Sequence, residues 1–245
     1  MSDQKVAFIT GGNKGLGLET ARQLGKLGIT VVLGSRDLGK GAAAARQLKS
    51  EGIVAEAIRF DVTQRGDYQA VCDYFRQHYG RLDILVNNAG VSLENFMGGN
   101  KTSTTSAQIL HDTFDTNFFG VIELTQTLLP LLRNSPAGRI VNLSSILGSL
   151  ALHATPGSPI YDAKAFAYDA SKAALNAFTI HLAHELKDTK IKVNSAHPGW
   201  VKTDMGTDAA PMEIPDGAKT GVRLATLPDD GPTGGFFHAN DTLPW

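Results

Sequence analysis

Cysteine, net charge and long apolar runs are all scarce in this sequence. Cys72 is the single cysteine among 245 residues, which excludes an intrachain disulfide and favours a reducing compartment. The formal net charge is −1 at pH 7, so no charge excess predicts binding to nucleic acid or to an anionic membrane. The apolar stretch 6–9 is short, as in a buried strand, and no run is long enough to cross a bilayer. We therefore expect a cytoplasmic protein that binds neither nucleic acid nor membrane.

Sequence patterns for a metal site and for a hydrolase nucleophile are missing as well. His181 and His184 are separated by two apolar residues, but the spacing is not H-E-x-x-H and no third ligand is evident. Ser144 and Ser145 lie outside any G-x-S-x-G motif. We expect exposed helix histidines, no bound metal and no serine-hydrolase chemistry.

Short apolar runs alternate along the chain with segments of helical period. With 42% apolar and 19% charged residues, the composition is that of a globular protein with a substantial core. Strands are predicted at 6–9, 31–33, 53–60, 84–86, 139–143 and 190–196, with 236–237 as a seventh, and helices at 16–27, 40–51, 64–79, 105–133 and 168–186. Strands that are apolar on both faces are typical of a parallel sheet covered by helices on both sides. We expect one α/β domain over residues 1–245, doubly wound, with about seven strands.

Three stretches rich in glycine, serine, threonine and proline interrupt this alternation, at about 92–106, 146–166 and 205–216. Each follows a strand that is predicted to be parallel. Because the loops beyond the carboxyl ends of parallel strands surround the ligand crevice of an open α/β sheet, we expect these three loops to form the walls of a site.

The segment 10–17, TGGNKGLG, joins the first strand to the first helix. Gly11, Gly15 and Gly17 remove side chains where a backbone must turn and approach a pyrophosphate, and the helix that follows offers free N–H groups at its positive end. The first gap is wider than in the G-x-G-x-x-G fingerprint, so an ordinary glycine-rich turn is the alternative. The position between a strand and a helix favours the phosphate loop.

The end of the second predicted strand bears on the type of cofactor. Arg36 follows Gly34-Ser35 there, and its guanidinium can bind a 2′-phosphate, which Lys14 of the glycine loop can also reach. Both residues favour NADP(H). Asp37 is the competing observation, since an acidic residue in this region would bind the ribose 2′-OH of NAD, but we expect it to lie one residue too far along.

Tyr168 and Lys172 stand at positions i and i+4, which share one face of a helix. A nearby ammonium stabilises a phenolate, so we expect Lys172 to lower the pKa of Tyr168. Alone, this pair is indistinguishable from a surface pair on a helix. Its context is more specific: Ser145 follows the fifth strand, Asn117 falls within a predicted helix where it needs a polar partner such as a water, and Asn87-Asn88-Ala89-Gly90 closes the fourth strand.

Together these motifs resemble the short-chain dehydrogenase/reductase family, in its single-domain, carbonyl-reductase-like branch. The match covers residues 10 to about 235, with every motif in family order. The resemblance implies a Rossmann-type fold with Tyr168 as the general acid and base. It further implies that Lys172 lowers the pKa of Tyr168 and binds the nicotinamide ribose, that Ser145 orients the substrate carbonyl, and that Asn117 holds a proton-relay water.

The resemblance also implies a set of cofactor contacts. The predicted cofactor-binding residues are Gly11, Asn13, Lys14, Gly15, Leu16, Gly17, Arg36, Asp61, Val62, Asn88, Ala89, Gly90, Tyr168, Lys172, Pro198, Gly199, Val201 and Thr203. Within this set, Asp61 would bind the adenine edge and Asn88 would lie against the ribose. Val201 and Thr203 would hold the carboxamide and the diphosphate.

One departure from the family pattern is the long segment between Ser145 and Tyr168. It contains a second tyrosine, Tyr161, which has no lysine at i+4. Similar insertions in the carbonyl-reductase-like branch cover a helix face that other members use for oligomerisation, so a monomer is favoured over a homo-oligomer. With Trp200 and Met205, the insertion is expected to shape the substrate pocket.

The sequence therefore predicts an NADPH-dependent carbonyl reductase, with NADPH/NADP+ as cofactor and a small, neutral, largely apolar ketone or aldehyde as substrate. The reverse alcohol oxidation uses the same atoms. Two alternatives stay open at this point: an NAD-linked alcohol dehydrogenase of the same family, and a non-catalytic protein that senses NADP(H).

Overall fold

A computed structural model describes residues 4–95 and 98–245 of the chain. The strands are β1 (Val6–Thr10), β2 (Thr30–Ser35), β3 (Ala55–Arg59), β4 (Ile84–Asn87), β5 (Arg139–Leu143), β6 (Lys192–Ala196), β7 (Phe236–His238) and β8 (Asp241–Thr242). The helices are α1 (Gly15–Lys26), α2 (Leu38–Ser50), α3 (Arg65–His78), α4 (Ala107–Phe114), α5 (Gly120–Arg133), α6 (Leu150–Ala154), α7 (Phe166–Glu185) and α8 (Ile214–Ala225).

The described strands form one sheet in the order β3-β2-β1-β4-β5-β6-β7-β8. Neighbouring strands are parallel except for β7 and β8, which are antiparallel. The predicted α/β fold with a mostly parallel sheet is confirmed, with a short eighth strand beyond the seven expected. The strand order reverses between β1 and β4, and ligands of doubly wound sheets bind at the carboxyl ends of the strands at such a point.

The core lies on both faces of the sheet, as predicted. Alternate residues of β1 enter opposite halves of it: Val6 and Phe8 pack with α3, α5 and α7, whereas Ala7 and Ile9 pack with α1, α2 and α8. Side chains of a strand point alternately to its two faces, so a strand buried on both faces is apolar at every position. Cys72 is buried in the first of these halves.

The predicted single helix over 105–133 is wrong. A π-helical turn at Asp115–Phe119 separates α4 from α5. Within this turn Asn117 is fully buried, and its side chain exchanges hydrogen bonds of 2.8 and 2.9 Å with the backbone of Val91. Directly after it, a Cβ atom on Gly120 would lie 2.2 Å from the carbonyl oxygen of Val62. The helical segment between α4 and α5 is therefore distorted where it contacts Val91 after β4 and Val62 after β3. Hydrophobic periodicity does not indicate such a distortion.

The helix α8 was not predicted from the sequence, and its start falls within the predicted loop 205–216. Two glycines lower its helix propensity, and one of them is required by packing, since a Cβ on Gly217 would lie 2.6 Å from a methyl group of Val201. The available signal was Pro215 followed by Asp216 in the first helical turn, which is typical of a helix N-terminus.

The insertion over 146–166 contains a 3₁₀ turn, Ile146–Gly148, and the short helix α6. It is attached to the end of the chain, because the Ala151 N–H and the Ser149 hydroxyl donate to the carbonyl oxygen of Trp245 at 2.9 and 3.2 Å. The Trp245 ring in turn stacks on Phe236. Over the described ranges, no helix has both the length and the apolar character that crossing a membrane requires.

Candidate active site

A cavity of about 710 Å³ lies at the carboxyl ends of the strands, where the strand order reverses. All predicted cofactor-binding residues line it except Gly199 and Val201. Those two line a second cavity of about 470 Å³, which adjoins the first. The structure therefore gathers the predicted cofactor residues, from segments far apart in the chain, around two neighbouring cavities.

The glycine loop forms one wall of the larger cavity. Gly11 and Gly15 adopt φ angles of +63° and +55°, which residues with a side chain rarely adopt. A Cβ on Gly17 would lie 2.4 Å from the carbonyl oxygen of Gly11 and 2.5 Å from Nδ2 of Asn88. At the N-cap of α1, the Lys14 side chain makes no capping hydrogen bond within the described residues. The loop and the first turn of α1 thus present backbone N–H groups to an anion, as a pyrophosphate requires.

Asn88 attaches β4 to this loop. Its Nδ2 donates to the carbonyl oxygens of Thr10 and Gly11 at 2.7 and 3.3 Å. The Thr10 hydroxyl accepts from the N–H groups of Asn88 and Ala89 at 3.0 and 2.9 Å. Asn88 therefore supports the shape of the loop besides lining the cavity, and Thr10 has a positioning role that the sequence reading did not assign.

Basic residues lie on the cavity wall after β2 and in the glycine loop. Arg36 and Lys14 both line the cavity, and Lys14 forms an exposed ion pair with Asp204, another lining residue. Asp37 is not among the described residues that line the cavity. Its carboxylate instead caps α2 by accepting from the Lys40 N–H at 3.0 Å. This agrees with the expectation that Asp37 lies too far along the chain to meet a ribose.

Tyr168 and Lys172 lie on one face of α7, as their spacing predicts. The Lys172 Nζ is 5.5 Å from the centroid of the Tyr168 ring and donates to the Leu143 carbonyl oxygen at 2.8 Å. The Ser145 side chain hydrogen-bonds the Tyr168 phenol. Both members of the helical pair are buried, with 7% of Tyr168 and 5% of Lys172 exposed. A surface pair is thereby excluded.

Burial governs the ionisation of this pair. It raises the pKa of Tyr168 to about 12, with the Ser145 hydrogen bond acting in the opposite direction. It also lowers the pKa of Lys172 to about 8. For the protein chain by itself, the net pKa of Tyr168 is therefore raised, because desolvation disfavours the charged form of both groups. The stabilisation of the phenolate by Lys172 stays a prediction.

Asn117 lines neither cavity. In addition to its bonds with Val91, its Nδ2 donates to the Ser171 hydroxyl at 3.0 Å. Its side-chain amide thus has protein partners, and the relay water stays a prediction. The residue before it, Thr116, lines the larger cavity instead. The π-helical turn gives the two residues these positions, and no pattern in the sequence predicts that turn.

The smaller cavity is mostly apolar and lies against Tyr168 and Ser145. Its walls come from the insertion and from the segment after β6, including Ile146, Leu147, Pro159, Ile160, Trp200 and Met205. Residues of 146–166, Trp200 and Met205 therefore line this cavity, and its use as the substrate pocket stays a prediction. His197 and Lys164 are lining residues with polar side chains that the sequence reading left out of the site.

The predicted wall at 92–106 is not observed, since none of its described residues lines either cavity. Phe96 and Met97 of this loop lie outside the described residues. The loop instead contacts the start of α7: Glu94 accepts from the Tyr168 N–H at 3.0 Å, and Asn100 donates to the Lys164 carbonyl oxygen at 3.0 Å. It therefore supports the helix that carries Tyr168.

Comparison with known proteins agrees with this geometry. The sequence model described as short chain dehydrogenase matches residues 5–214. Short-chain dehydrogenase/reductase 1 of Saponaria officinalis is 33% identical over 100% of this chain and 97% of its own length. Carbonyl reductase (NADPH) 1 of Homo sapiens is 34% identical over 98% of each chain. The structure of salutaridine reductase from Papaver somniferum matches with a TM-score of 0.83 at 32% identity, over 96% of this chain and 99% of that one.

The chain belongs to the short-chain dehydrogenase family. The family resemblance drawn from the motifs is thereby confirmed, including its similarity to carbonyl-reductase-like members. As a short-chain dehydrogenase, the protein is an oxidoreductase.

Proposed function

We propose that this oxidoreductase reduces a ketone or aldehyde with NADPH, and that it catalyses the reverse alcohol oxidation through the same groups. One observation carries the proposal: Tyr168 lines both the larger cavity, with its glycine loop, and the smaller apolar cavity. A proton donor at this junction can serve a substrate in the smaller cavity while a dinucleotide occupies the larger one.

The residues around the larger cavity fit a dinucleotide phosphate. The glycine loop suits the pyrophosphate, while Arg36 after β2 and Lys14 of the glycine loop suit a 2′-phosphate. The name of the human relative, carbonyl reductase (NADPH) 1, supports the same cofactor. When bound, NADPH would supply the hydride. Lys172 and the segment after β6 would hold its nicotinamide end.

Tyr168 would donate its phenolic proton to the substrate oxygen. Because burial raises its pKa to about 12, the phenol is protonated at neutral pH, as a general acid must be before it donates. Ser145, which hydrogen-bonds the phenol, would orient the same substrate oxygen. Lys172 is buried and held by the Leu143 carbonyl oxygen, so its ammonium would stabilise the phenolate that remains after proton transfer.

The substrate we propose is small, neutral and largely apolar, in keeping with the walls and the volume of about 470 Å³ of the smaller cavity. A cytoplasmic, monomeric enzyme completes the proposal. The insertion over 146–166, which would cover a helix face, and the single cysteine support these two features.

The test measures NADPH and NADH consumption with a panel of ketones and aldehydes. We expect NADPH to be preferred, and Tyr168→Phe to lower kcat by about 10²–10⁴-fold, the usual contribution of a general acid, while NADPH still binds. Tyr161→Phe is the matched control, since this exposed tyrosine lines neither cavity, and it should keep full activity.

Each rival predicts a different outcome of this test. An NAD-linked alcohol dehydrogenase would prefer NADH and would be little affected by the loss of Arg36. A sensing protein would bind NADPH without turning over any member of the panel. Full activity in Tyr168→Phe would disprove the proposed role of the phenol.

A further inference from the structure

Helix α7 begins without a capping side chain of its own. Its N-cap is Ala165, so the first turn runs through Phe166 and Ala167 to Tyr168. The first N–H groups of a helix have no partner within the helix and need one from outside. An alanine side chain has no acceptor atom, so a partner must come from elsewhere in the fold.

Glu94 supplies that partner from a loop 74 positions earlier in the chain. Its Oε2 accepts from the Tyr168 N–H at 3.0 Å. Tyr168 is the third residue of the helix, and its N–H is one of the two that an N-cap serine or aspartate would normally serve. A carboxylate at this end also interacts favourably with the helix dipole. Glu94 therefore acts as an N-cap that is brought in by tertiary structure.

Asp169 closes the same turn from within the helix. Its Oδ2 accepts from the Ala165 N–H at 3.0 Å, much as the acidic residue of a capping box reaches back to the N-cap. Burial, together with a smaller contribution from the Glu94 charge, raises the pKa of Asp169 to about 7. The two carboxylates thus lie close together and satisfy different N–H groups of one turn.

We infer that Glu94 is a positioning residue for the reaction, because its hydrogen bond to the Tyr168 N–H sets where the phenol lies relative to Ser145 and the two cavities. The inference rests on the proposed role of Tyr168. It also explains why the loop over 92–106, which lines neither cavity in its described part, is held to the site by Glu94 and Asn100. Displacing a reacting group by about 1 Å can lower a rate about 10²-fold.

Three variants test this assignment. Glu94→Ala removes the acceptor and should lower kcat by about tenfold, with KM and the NADPH Kd changed by less than about twofold. Glu94→Gln keeps a carbonyl acceptor at the same reach and should retain most of kcat. Ala165→Ser placed in the Glu94→Ala background offers a local cap to the Tyr168 N–H and should restore activity. Glu185→Ala, an exposed carboxylate on the same helix, is the control and should match the wild type.

Amide hydrogen exchange gives a second readout that does not depend on turnover. The Tyr168 amide should exchange at least about tenfold faster in Glu94→Ala, and at close to the wild-type rate in Glu94→Gln and in the Ala165→Ser double variant. Amides in the middle of α7 should be unaffected. A general loss of stability would speed exchange throughout the helix.

Wild-type kcat or wild-type Tyr168 exchange in Glu94→Ala would overturn the inference. A Glu94→Gln variant whose kcat falls as far as that of Glu94→Ala would also overturn it, since the charge of Glu94 rather than its hydrogen bond would then matter. If Glu94→Ala does not fold, Glu94→Gln and the double variant decide between these outcomes. Failure of the proposed function is distinguishable, because it appears as full activity in Tyr168→Phe.

Discussion

The two cavities that meet at Tyr168 are built in different ways. The larger one owes its shape to backbone: the loop over 10–17 lies against Asn88 so closely that Gly17 has no room for a single added carbon. The smaller one is enclosed by apolar side chains from the insertion and the segment after β6. Backbone geometry tolerates little change, whereas side-chain walls can be altered one residue at a time. The larger cavity is therefore the rigid part of the proposed site, and the smaller cavity is the part that substitution can change.

The sharpest test of this contrast is Gly17→Ala. The added methyl group would overlap the Gly11 carbonyl oxygen and the Asn88 amide, so the NADPH Kd should rise more than about 100-fold, in line with the upper range of overpacking penalties. Gly221→Ala is the control, since a Cβ there meets nothing within 4 Å. It should bind NADPH normally and be more stable by about 0.5–1 kcal/mol. Fluorescence titration with NADPH measures the Kd of both variants. Equal NADPH affinity in the two variants would contradict the idea that the glycine loop is rigid.

Arg36→Ala tests the same cavity at its charged end. Loss of a charge-assisted hydrogen bond to a phosphate corresponds to about 1.5–3 kcal/mol, so the NADPH Kd should rise about tenfold to a hundredfold while the NADH Kd stays the same. Arg46→Ala, an exposed arginine on α2, should change neither value. A parallel loss of affinity for both cofactors would show that Arg36 does not distinguish them.

Trp200→Ala should affect only the smaller cavity. Removing this wall should change the ratio of kcat/KM between large and small ketones by about tenfold, the scale expected for hydrophobic pocket contacts, with the NADPH Kd unchanged. Leu150→Ala removes an exposed side chain of the insertion that lines neither cavity, and its substrate preference should not change. Weakened NADPH binding in Trp200→Ala would mean that the two cavities are not independent.

The smallest expected effect concerns the pH dependence of stability. Burial, with a further contribution from His238, lowers the pKa of His197 from 6.5 to about 3. Between these values His197 binds fewer protons in the folded protein than in the unfolded chain, so its contribution to stability falls as the pH falls below 6.5, by at most about 1.4 kcal/mol per pH unit. Asp169, whose pKa burial raises from 3.8 to about 7, contributes with the opposite sign over the same range, so the net slope of the wild type is smaller. Urea unfolding from pH 7 to pH 4 measures this slope.

His197→Gln removes the His197 contribution, because glutamine does not titrate in this range, so its stability should fall less, or rise more, than that of the wild type as the pH falls. The exposed His184→Gln is the matched control and should keep the wild-type slope. Identical slopes in all three proteins would show that His197 is not the group responsible.

The parts of the fold and site that could be predicted are those encoded within short segments. The glycine loop, the buried strands and the spacing of Tyr168 and Lys172 each lie within one element, and the structure places them as expected. The helix α8 was not predicted because Gly217, which its close packing against Val201 requires, lowers the helix propensity of the segment. The π-helical turn was not predicted, because the contact that Asn117 makes within it joins this residue to Val91, 26 positions away.

The local sequence alone determined which residues form the sheet and the glycine loop. It also determined which face of α7 carries Tyr168 and Lys172, because these features depend on spacing and backbone conformation. Tertiary structure alone decided that the phenol is harder to ionise than in water, since burial removes the solvent that would stabilise its charge. It likewise decided that Glu94 caps the helix that carries the phenol, because a hydrogen bond across 74 positions depends on how the chain packs.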